Sequence, residues 1–307
     1  MEKSKKQTLQ KVILLNIVLV IAEIGAGIFS GSMALIADAF HNLGDVLALF
    51  ISLVAIIFGA KEVSSKMTFG YIKAEMMAAF VNSLFLVITM LFILFESLTR
   101  LYEPHPIDAP IVIIASLLAL FVNGYSTYLL RHNGVEHHHH HDHEDHHHEH
   151  EDLNMRSAYL HMLGDAVISL SVAIGGVLIY FFGIISIDTI LSILFSIYII
   201  KETFPLLKRS FFALMDSSGG VDVEAIETIL LQKEMVSSVH DLHIYTPSSK
   251  GIYGSVHLVL CDNFSLVEIE GLLEEIRADL AKIGIKHFIM QPETQKYLDA
   301  KQGCKSH

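Results

Sequence analysis

The segment ALIADAFHNLGDVLALFISLVAIIFGA, residues 34–60, has the length and apolar character of a membrane-spanning helix, yet it contains two acids and a histidine. Asp38, His41 and Asp45 follow a spacing of i, i+3 and i+7, which places them along one stripe of a helix. A charged side chain at the centre of a bilayer costs about 3 kcal/mol or more, and such residues usually mark a functional site. The segment therefore predicts a helical membrane protein with a polar site inside the membrane.

The composition of the whole chain agrees with a membrane protein. Of its 307 residues, 52% are hydrophobic and only 18% are charged, below the share typical of soluble proteins. Six apolar stretches each approach the ~20 residues that cross a ~30 Å hydrocarbon core. They cover about 12–31, 34–59, 76–98, 108–130, 157–180 and 184–203. We expect six transmembrane helices; because only FFGIIS separates the last two stretches, a fused or partly re-entrant pair is the alternative.

The basic residues assign the two sides of the membrane. The N-terminal segment, the loops at 60–75 and 131–156 and the chain after about 206 carry Lys and Arg, whereas the opposite side has Arg100 alone. Because basic loops tend to stay in the cytoplasm, both termini are predicted to be cytoplasmic. No targeting extension is evident, so the expected location is a bacterial cytoplasmic membrane, crossed several times by the chain.

The chain beyond residue 206 changes from long apolar stretches to short helix and strand patterns. Helical spacing at 221–234 is followed by two strand patterns, a second helical pattern and a third strand pattern, at 236–247, 251–262, 265–284 and 286–293. The order α-β-β-α-β predicts a small two-layer α+β domain of the ferredoxin-like type. We therefore divide the chain into a transmembrane domain at 1–206, with a histidine-rich loop at 132–152, and a cytoplasmic domain at 207–307.

A second His-x-x-x-Asp pair, His161 and Asp165, lies in the fifth apolar stretch. With a rise of ~1.5 Å per residue, His41 lies about 15 Å below the outer surface and Asp165 about 14 Å above the inner one. In a core of ~30 Å the two are level, and Asp45 is nearly level with His161. Two imidazoles and two carboxylates suit a tetrahedral divalent cation. Asp38 is either a proton-accessible acid on the proton pathway or a helix-cap contact.

A histidine-rich run, RHNGVEHHHHHDHEDHHHEHED, precedes the fifth stretch and contains eleven of the 19 histidines. Seven acids are interleaved with them and account for much of the formal charge of −12. This composition predicts a disordered loop that binds metal loosely, with ligands that include His137, His138, His139, His140 and His141. The loop either captures metal near the intramembrane site or acts as a dispensable sensor or buffer.

Three segments resemble the cation diffusion facilitators, and in particular the zinc-transporting members of that family. They are GSMALIADAFHNLGD in the second stretch, TFGYIKAEMMAAFVNS leading into the third and SAYLHMLGDAVISL in the fifth. The resemblance implies a homodimer that exports Zn²⁺ from the cytosol against protons through His41, Asp45, His161 and Asp165. Histidine at positions 41 and 161 favours zinc over manganese, while Cd²⁺ and Co²⁺ tolerate the same donors.

The C-terminal domain offers a second set of candidate ligands. Strand alternation puts His243 on the face that could meet His257 across a hairpin. The resemblance points instead to His240, together with His257 and Glu293, as a structural or regulatory zinc site. We favour His240, because the start of a strand is the least certain part of a sequence-based assignment.

Other classes of protein lack support in the sequence. A zinc hydrolase would need a motif such as His-Glu-x-x-His, and a nucleotide-driven pump would need a phosphate-binding Gly-x-x-x-x-Gly-Lys-[Ser/Thr] run; neither is present. We therefore expect a secondary transporter, a metal/proton antiporter, and not an enzyme. The alternative is a membrane-embedded metal sensor or buffer without transport. The expected partners are the lipid bilayer, divalent cations, protons and a second copy of the chain, with no nucleic acid.

Overall fold

The computed structural model describes the backbone of residues 2–59, 61, 63–134, 148–248 and 251–300. Side chains are described for most of these residues, the exceptions being 2–13, 49, 52, 53, 56, 59, 127, 129–134, 148–162, 298 and 300. The central part of the histidine-rich loop, including His137 to His141, lies outside the described residues. Metal binding by that loop stays a prediction.

Six long helices make up the first two thirds of the chain as far as it is described. They are α1 (Glu2–Ser30), α2 (Met33–Gly59), α3 (Ala74–Arg100), α4 (Ala109–Gly134), α5 (His148–Phe182) and α6 (Ser186–Leu214). Each contains one of the apolar stretches. Gly183 follows α5 with a φ of 67°, the left-handed conformation that commonly ends a helix. The last two stretches are therefore separate helices, not a fused or re-entrant pair.

Four segments within the described residues are long and apolar enough to cross a membrane: Ala74–Arg100, Ala109–Ser126, Leu163–Phe182 and Ser186–Leu214. In α1 the apolar part, Leu14–Ser30, is shorter. Large apolar side chains such as Phe29, Phe92 and Phe121 are exposed on these helices, as expected for surfaces that face lipid. The predicted fold class, a helical membrane domain followed by an α+β domain, is confirmed.

Helix α2 occupies the middle of the first compact unit, which comprises Met1–Ile51 and Val81–Pro205. One side of α2 packs on α3 and α6, where Ala37 meets Met90 and Ile199. Its other side packs on α4 and α5, where Leu35 belongs to a cluster with Val112 and Val172. The ionisable residues of α2 are therefore held among other helices, which is where a polar group in a membrane protein is stable.

The N-terminal end of α2 is held by side chains from other helices. Asp188 of α6 accepts hydrogen bonds from the Ser32 hydroxyl and, at 2.9 Å, from the Met33 amide at the first turn of α2. Arg100 of α3 donates to the Gly31 carbonyl at 2.6 Å. A carboxylate at a helix N-terminus satisfies amides that have no partner within the helix. These contacts hold the N-terminal end of α2, which precedes the site in the chain.

The second compact unit comprises Ser52–Phe80 and Leu206–His307. Its C-terminal part contains α7 (Val223–Leu231), β1 (Val236–Ser248), β2 (Gly251–Leu260), α8 (Leu266–Lys282), β3 (Ile285–Thr294) and α9 (Gln295–Ala300). The predicted order α-β-β-α-β is therefore confirmed. Strand β2 lies in the middle of the sheet, antiparallel to β1 and parallel to β3. The predicted division at residues 206 and 207 falls inside α6, which continues to Leu214. This division stays a prediction.

One face of this sheet is covered by α7 and α8. Ile226 and Leu230 of α7, Leu258 of β2, and Ile276 and Leu280 of α8 are all buried in a single apolar cluster. A capping box starts α8: the Ser265 hydroxyl accepts from the Glu268 amide, and the Glu268 carboxylate accepts from the Ser265 amide. The histidines of β1 and β2 are partly exposed and lie outside this cluster.

Candidate metal centres

Helices α2 and α5 bring three of the four predicted ligands together. The His41 Nε2 atom lies 3.3 Å from Asp165 Oδ1 and 3.9 Å from Asp45 Oδ2. One donor atom from each of the three residues lies within 4.8 Å of the others. Nitrogen and carboxylate oxygen donors at this separation can surround a divalent cation after small side-chain movements.

The three side chains differ in exposure. Asp165 is 2% exposed, His41 is 13% exposed and Asp45 is 33% exposed. Asp45, one helical turn after His41, is therefore the most exposed of the three candidate ligands, and Asp165 the most buried.

His161 lies in α5 one turn before Asp165, so the two residues share a face of the helix. Its side chain is outside the described part of the structure. The role of His161 as the fourth ligand stays a prediction.

A network of buried polar side chains surrounds the cluster. Asn42 donates to Glu23 Oε2 at 2.9 Å, and Asn123 of α4 lies 3.5 Å from the Ser169 hydroxyl. Ser169 of α5 in turn donates to Asp38 Oδ2 at 3.1 Å. Asp38 is thus an interhelical contact in the interior of α2, so the helix-cap alternative is wrong. The sequence analysis did not single out Ser169, although it lies one turn after Asp165 on the same face of α5.

A second cluster lies on the sheet of the C-terminal domain. His240 of β1 is directly opposite His257 of β2, and their ring centroids are 4.8 Å apart. Glu293 of β3 reaches both rings: Oε2 lies 3.2 Å from His240 Nε2, and Oε1 lies 3.0 Å from His257 Nδ1. One carboxylate therefore bridges the two imidazoles.

A bulge in β1 decides which histidine faces His257. The strand register shifts between His240 and His243, and Asp241 within the shift has a φ of 50°. A bulge adds a residue to one strand, so strict alternation fails across it. The inference from alternation that His243 meets His257 is wrong, because His243 is opposite Ser255.

The bulge also brings in a residue that the sequence analysis missed. Asp241 Oδ2 lies 3.8 Å from His240 Nδ1, and Asp241, His240 and His257 each offer a donor atom within 4.8 Å of the others. With Glu293, the side chains present two nitrogen and two carboxylate donors, a set that suits zinc. One local feature of the sequence is consistent with the bulge: Asp tolerates the left-handed backbone conformation better than most residues.

Comparison with known proteins agrees with both parts of the fold. The sequence model of the cation efflux transmembrane domain matches residues 9–215, and that of the cytoplasmic domain of cation efflux proteins matches residues 219–295. The chain belongs to the cation efflux family. The membership in the cation diffusion facilitators that the resemblance implied is therefore confirmed. This cation efflux protein is a multi-pass membrane transporter and not an enzyme.

Bacterial relatives of this cation efflux protein cover most of its length. The cadmium, cobalt and zinc/H(+)-K(+) antiporter of Bacillus velezensis is 30% identical over 95% of this chain and 89% of its own. The zinc transporter ZitB of Pectobacterium atrosepticum is 30% identical over 96% and 88% of the two chains. The metal cation efflux system protein CzcD of Cupriavidus metallidurans is 32% identical over 89% and 82%.

Proposed function

We propose that this cation efflux protein exports Zn²⁺ from the cytosol in exchange for protons, with Cd²⁺ and Co²⁺ as further substrates. His41, Asp45, His161 and Asp165 bind the ion within the membrane. The observation that carries the proposal is the convergence of His41, Asp45 and Asp165 from two membrane helices onto one point. The names of the relatives, among them a zinc transporter and a cadmium, cobalt and zinc antiporter, support the choice of substrates.

The donor set explains how the membrane interior tolerates a dication. Two carboxylates balance the two positive charges of the ion, so neither the acids nor the metal is left as an isolated charge in a medium of low dielectric constant. Two imidazoles complete the tetrahedral coordination that Zn²⁺ prefers. The ion and its site are therefore stable together where neither would be stable alone.

The same side chains account for exchange against protons. Imidazole and carboxylate bind a metal only in their deprotonated forms, so protons and metal compete for the site. A bundle that opens alternately to the two sides can release zinc outside, take up protons there and return with them. An inward proton gradient then drives zinc outward.

In the C-terminal domain we propose a zinc site of structural or regulatory function, formed by His240, His257 and Glu293 with Asp241 as the fourth ligand. The bridging position of the Glu293 carboxylate supports this assignment. We further propose that the protein is a homodimer in a bacterial cytoplasmic membrane, with both termini and this domain in the cytoplasm. Bacterial relatives of nearly the same extent support that location.

The experiment that tests this function measures zinc uptake into proteoliposomes under an imposed pH gradient without nucleotide. Asp165→Asn keeps the volume of the side chain but removes a ligand charge, so uptake should fall by at least about tenfold. Glu103→Gln, in the exposed loop after α3, is the matched control and should transport like the wild type.

Undiminished uptake by a folded Asp165→Asn protein would overturn the assignment of the site. Zinc binding by the wild type without uptake under any gradient would instead favour the sensor or buffer.

A further inference from the structure

A pair of buried carboxyl groups lies beside the proposed transport site, where α1 meets α2. Glu23 of α1 and Asp38 of α2 are each 1% exposed. Each carboxyl has one oxygen occupied by a donor: Asn42 Nδ2 is 2.9 Å from Glu23 Oε2, and Ser169 Oγ is 3.1 Å from Asp38 Oδ2. Both donors are neutral, so they orient the carboxyls without balancing two negative charges.

The other oxygens of the pair, Glu23 Oε1 and Asp38 Oδ1, are buried and receive no hydrogen bond from a described residue. Asn42, which donates to Glu23, lies one turn after Asp38 on the same face of α2, so the Glu23 carboxyl lies beside that of Asp38. Ionised carboxylates only accept hydrogen bonds, so two of them side by side repel each other unless a cation lies between them. Two neighbouring acids can avoid this repulsion by sharing one proton.

His41, which can carry one positive charge near the pair, balances at most one of the two carboxylates. Asp38 of α2 and Asp165 of α5 direct negative charge at Glu23, and His41 faces Asp38 from the same helix. On the remaining side, a cavity of about 250 Å³ separates Glu23 from α4. The cavity is lined on α4 only by apolar side chains, namely Ile111, Ile114, Ala115 and Leu118.

We propose that Glu23 and Asp38 hold one exchangeable proton between them, as a proton site separate from the four metal ligands. A proton fits better than a metal cation, because the neighbours Asn42 and Ser169 donate hydrogen bonds to the pair and so present hydrogen atoms instead of lone pairs. This inference rests on the proposed function and adds a proton-binding group to it.

The site couples to zinc through charge. A dication held by His41, Asp45 and Asp165 stabilises negative charge nearby, so its arrival favours two ionised carboxylates at Glu23 and Asp38. The carboxyl O–H bond then breaks, its electron pair stays on the oxygen, and H⁺ leaves to water. When zinc leaves, the pair takes up a proton again. Zinc binding therefore releases a proton that none of the four ligands held.

The test is calorimetric titration of the full chain in detergent with ZnCl₂, in buffers of different ionisation enthalpy, which counts the protons released per zinc. Glu23→Gln should release about one proton fewer than the wild type by proton linkage and should bind zinc within about threefold of its affinity. Glu103→Gln should match the wild type, and Glu23→Asp, which keeps the acid, should restore most of the release.

An unchanged proton count in a folded Glu23→Gln protein would overturn the inference. Failure of the proposed function has a different signature, since Asp165→Asn would then keep the wild-type zinc affinity whatever Glu23→Gln does. If Glu23→Gln does not fold, the count for Asp38→Asn decides: about one proton fewer supports the shared proton, and no change overturns it.

Discussion

Replacing Glu293 by Gln should remove most of the stabilisation that zinc confers on the C-terminal domain. The Glu293 side chain is 2% exposed, and its two oxygens reach His240 and His257 at 3.2 and 3.0 Å. Gln has nearly the same volume and one oxygen, so packing is retained while the ligand charge is lost. Loss of a ligand charge should weaken zinc binding by at least about 100-fold, the upper end of the range for outer-shell partners.

The effect on stability follows from mass action. At a free zinc concentration of about 100 times the wild-type Kd, binding stabilises the folded domain by about 2.7 kcal/mol. After a 100-fold loss of affinity the same zinc concentration gives only about 0.4 kcal/mol. The difference of about 2.3 kcal/mol corresponds to a Tm shift of about 10–15 °C for a domain of about 100 residues.

Differential scanning calorimetry of the full chain, with zinc and with a chelator, measures this shift. The wild type should show the large zinc-dependent rise in Tm, and Glu293→Gln should show little of it. Glu270→Gln, which alters an exposed carboxylate on α8, is the matched control. An equal zinc-dependent rise in wild type and Glu293→Gln would refute the proposal that Glu293 is a zinc ligand.

Two further predictions concern the histidine-rich loop and the electrostatics of α8. Deleting residues 136–152 should raise the apparent KM for zinc more than it lowers the maximal rate, because local capture of metal is lost; proteoliposome kinetics measure both, and the reverse pattern would argue against capture. Hydrogen bonds from Lys233 and Lys282 lower the pKa of Asp279 to about 2. This stabilisation is complete above the ordinary Asp pKa of about 3.9 and is lost as the pH falls towards 2. Acid-unfolding curves should therefore show that Asp279→Asn loses less stability than the wild type as the pH falls from about 4 to about 2. An equal loss in the two proteins would contradict the stabilising role of the Asp279 carboxylate.

The parts of the molecule that depend on local periodicity could be predicted from the sequence. The stripe of Asp38, His41 and Asp45 on α2 follows from 3.6 residues per turn. The level match of His41 with Asp165 follows from the helix rise and the thickness of the bilayer, and the structure brings these two side chains to 3.3 Å. The order α-β-β-α-β was predictable because strand and helix patterns have different periods.

Contacts between distant segments were decided by tertiary structure. The sequence did not indicate that Asp188 of α6 caps α2, or that Ser169 of α5 donates to Asp38, because a single polar residue carries no sign of its partner. The approach of Glu23 to Asp38 likewise depends on how α1 packs on α2.

At the second candidate metal centre, a single bulge determines which histidine faces His257. Strand alternation, which the sequence by itself determines, predicted His243 opposite His257. The extra residue at Asp241 shifts the register, so that His240 takes that position and Glu293 of the parallel strand β3 closes the cluster. A bulge forms through pairing with a neighbouring strand, which is why strand alternation could not select His240, although the family resemblance pointed to it.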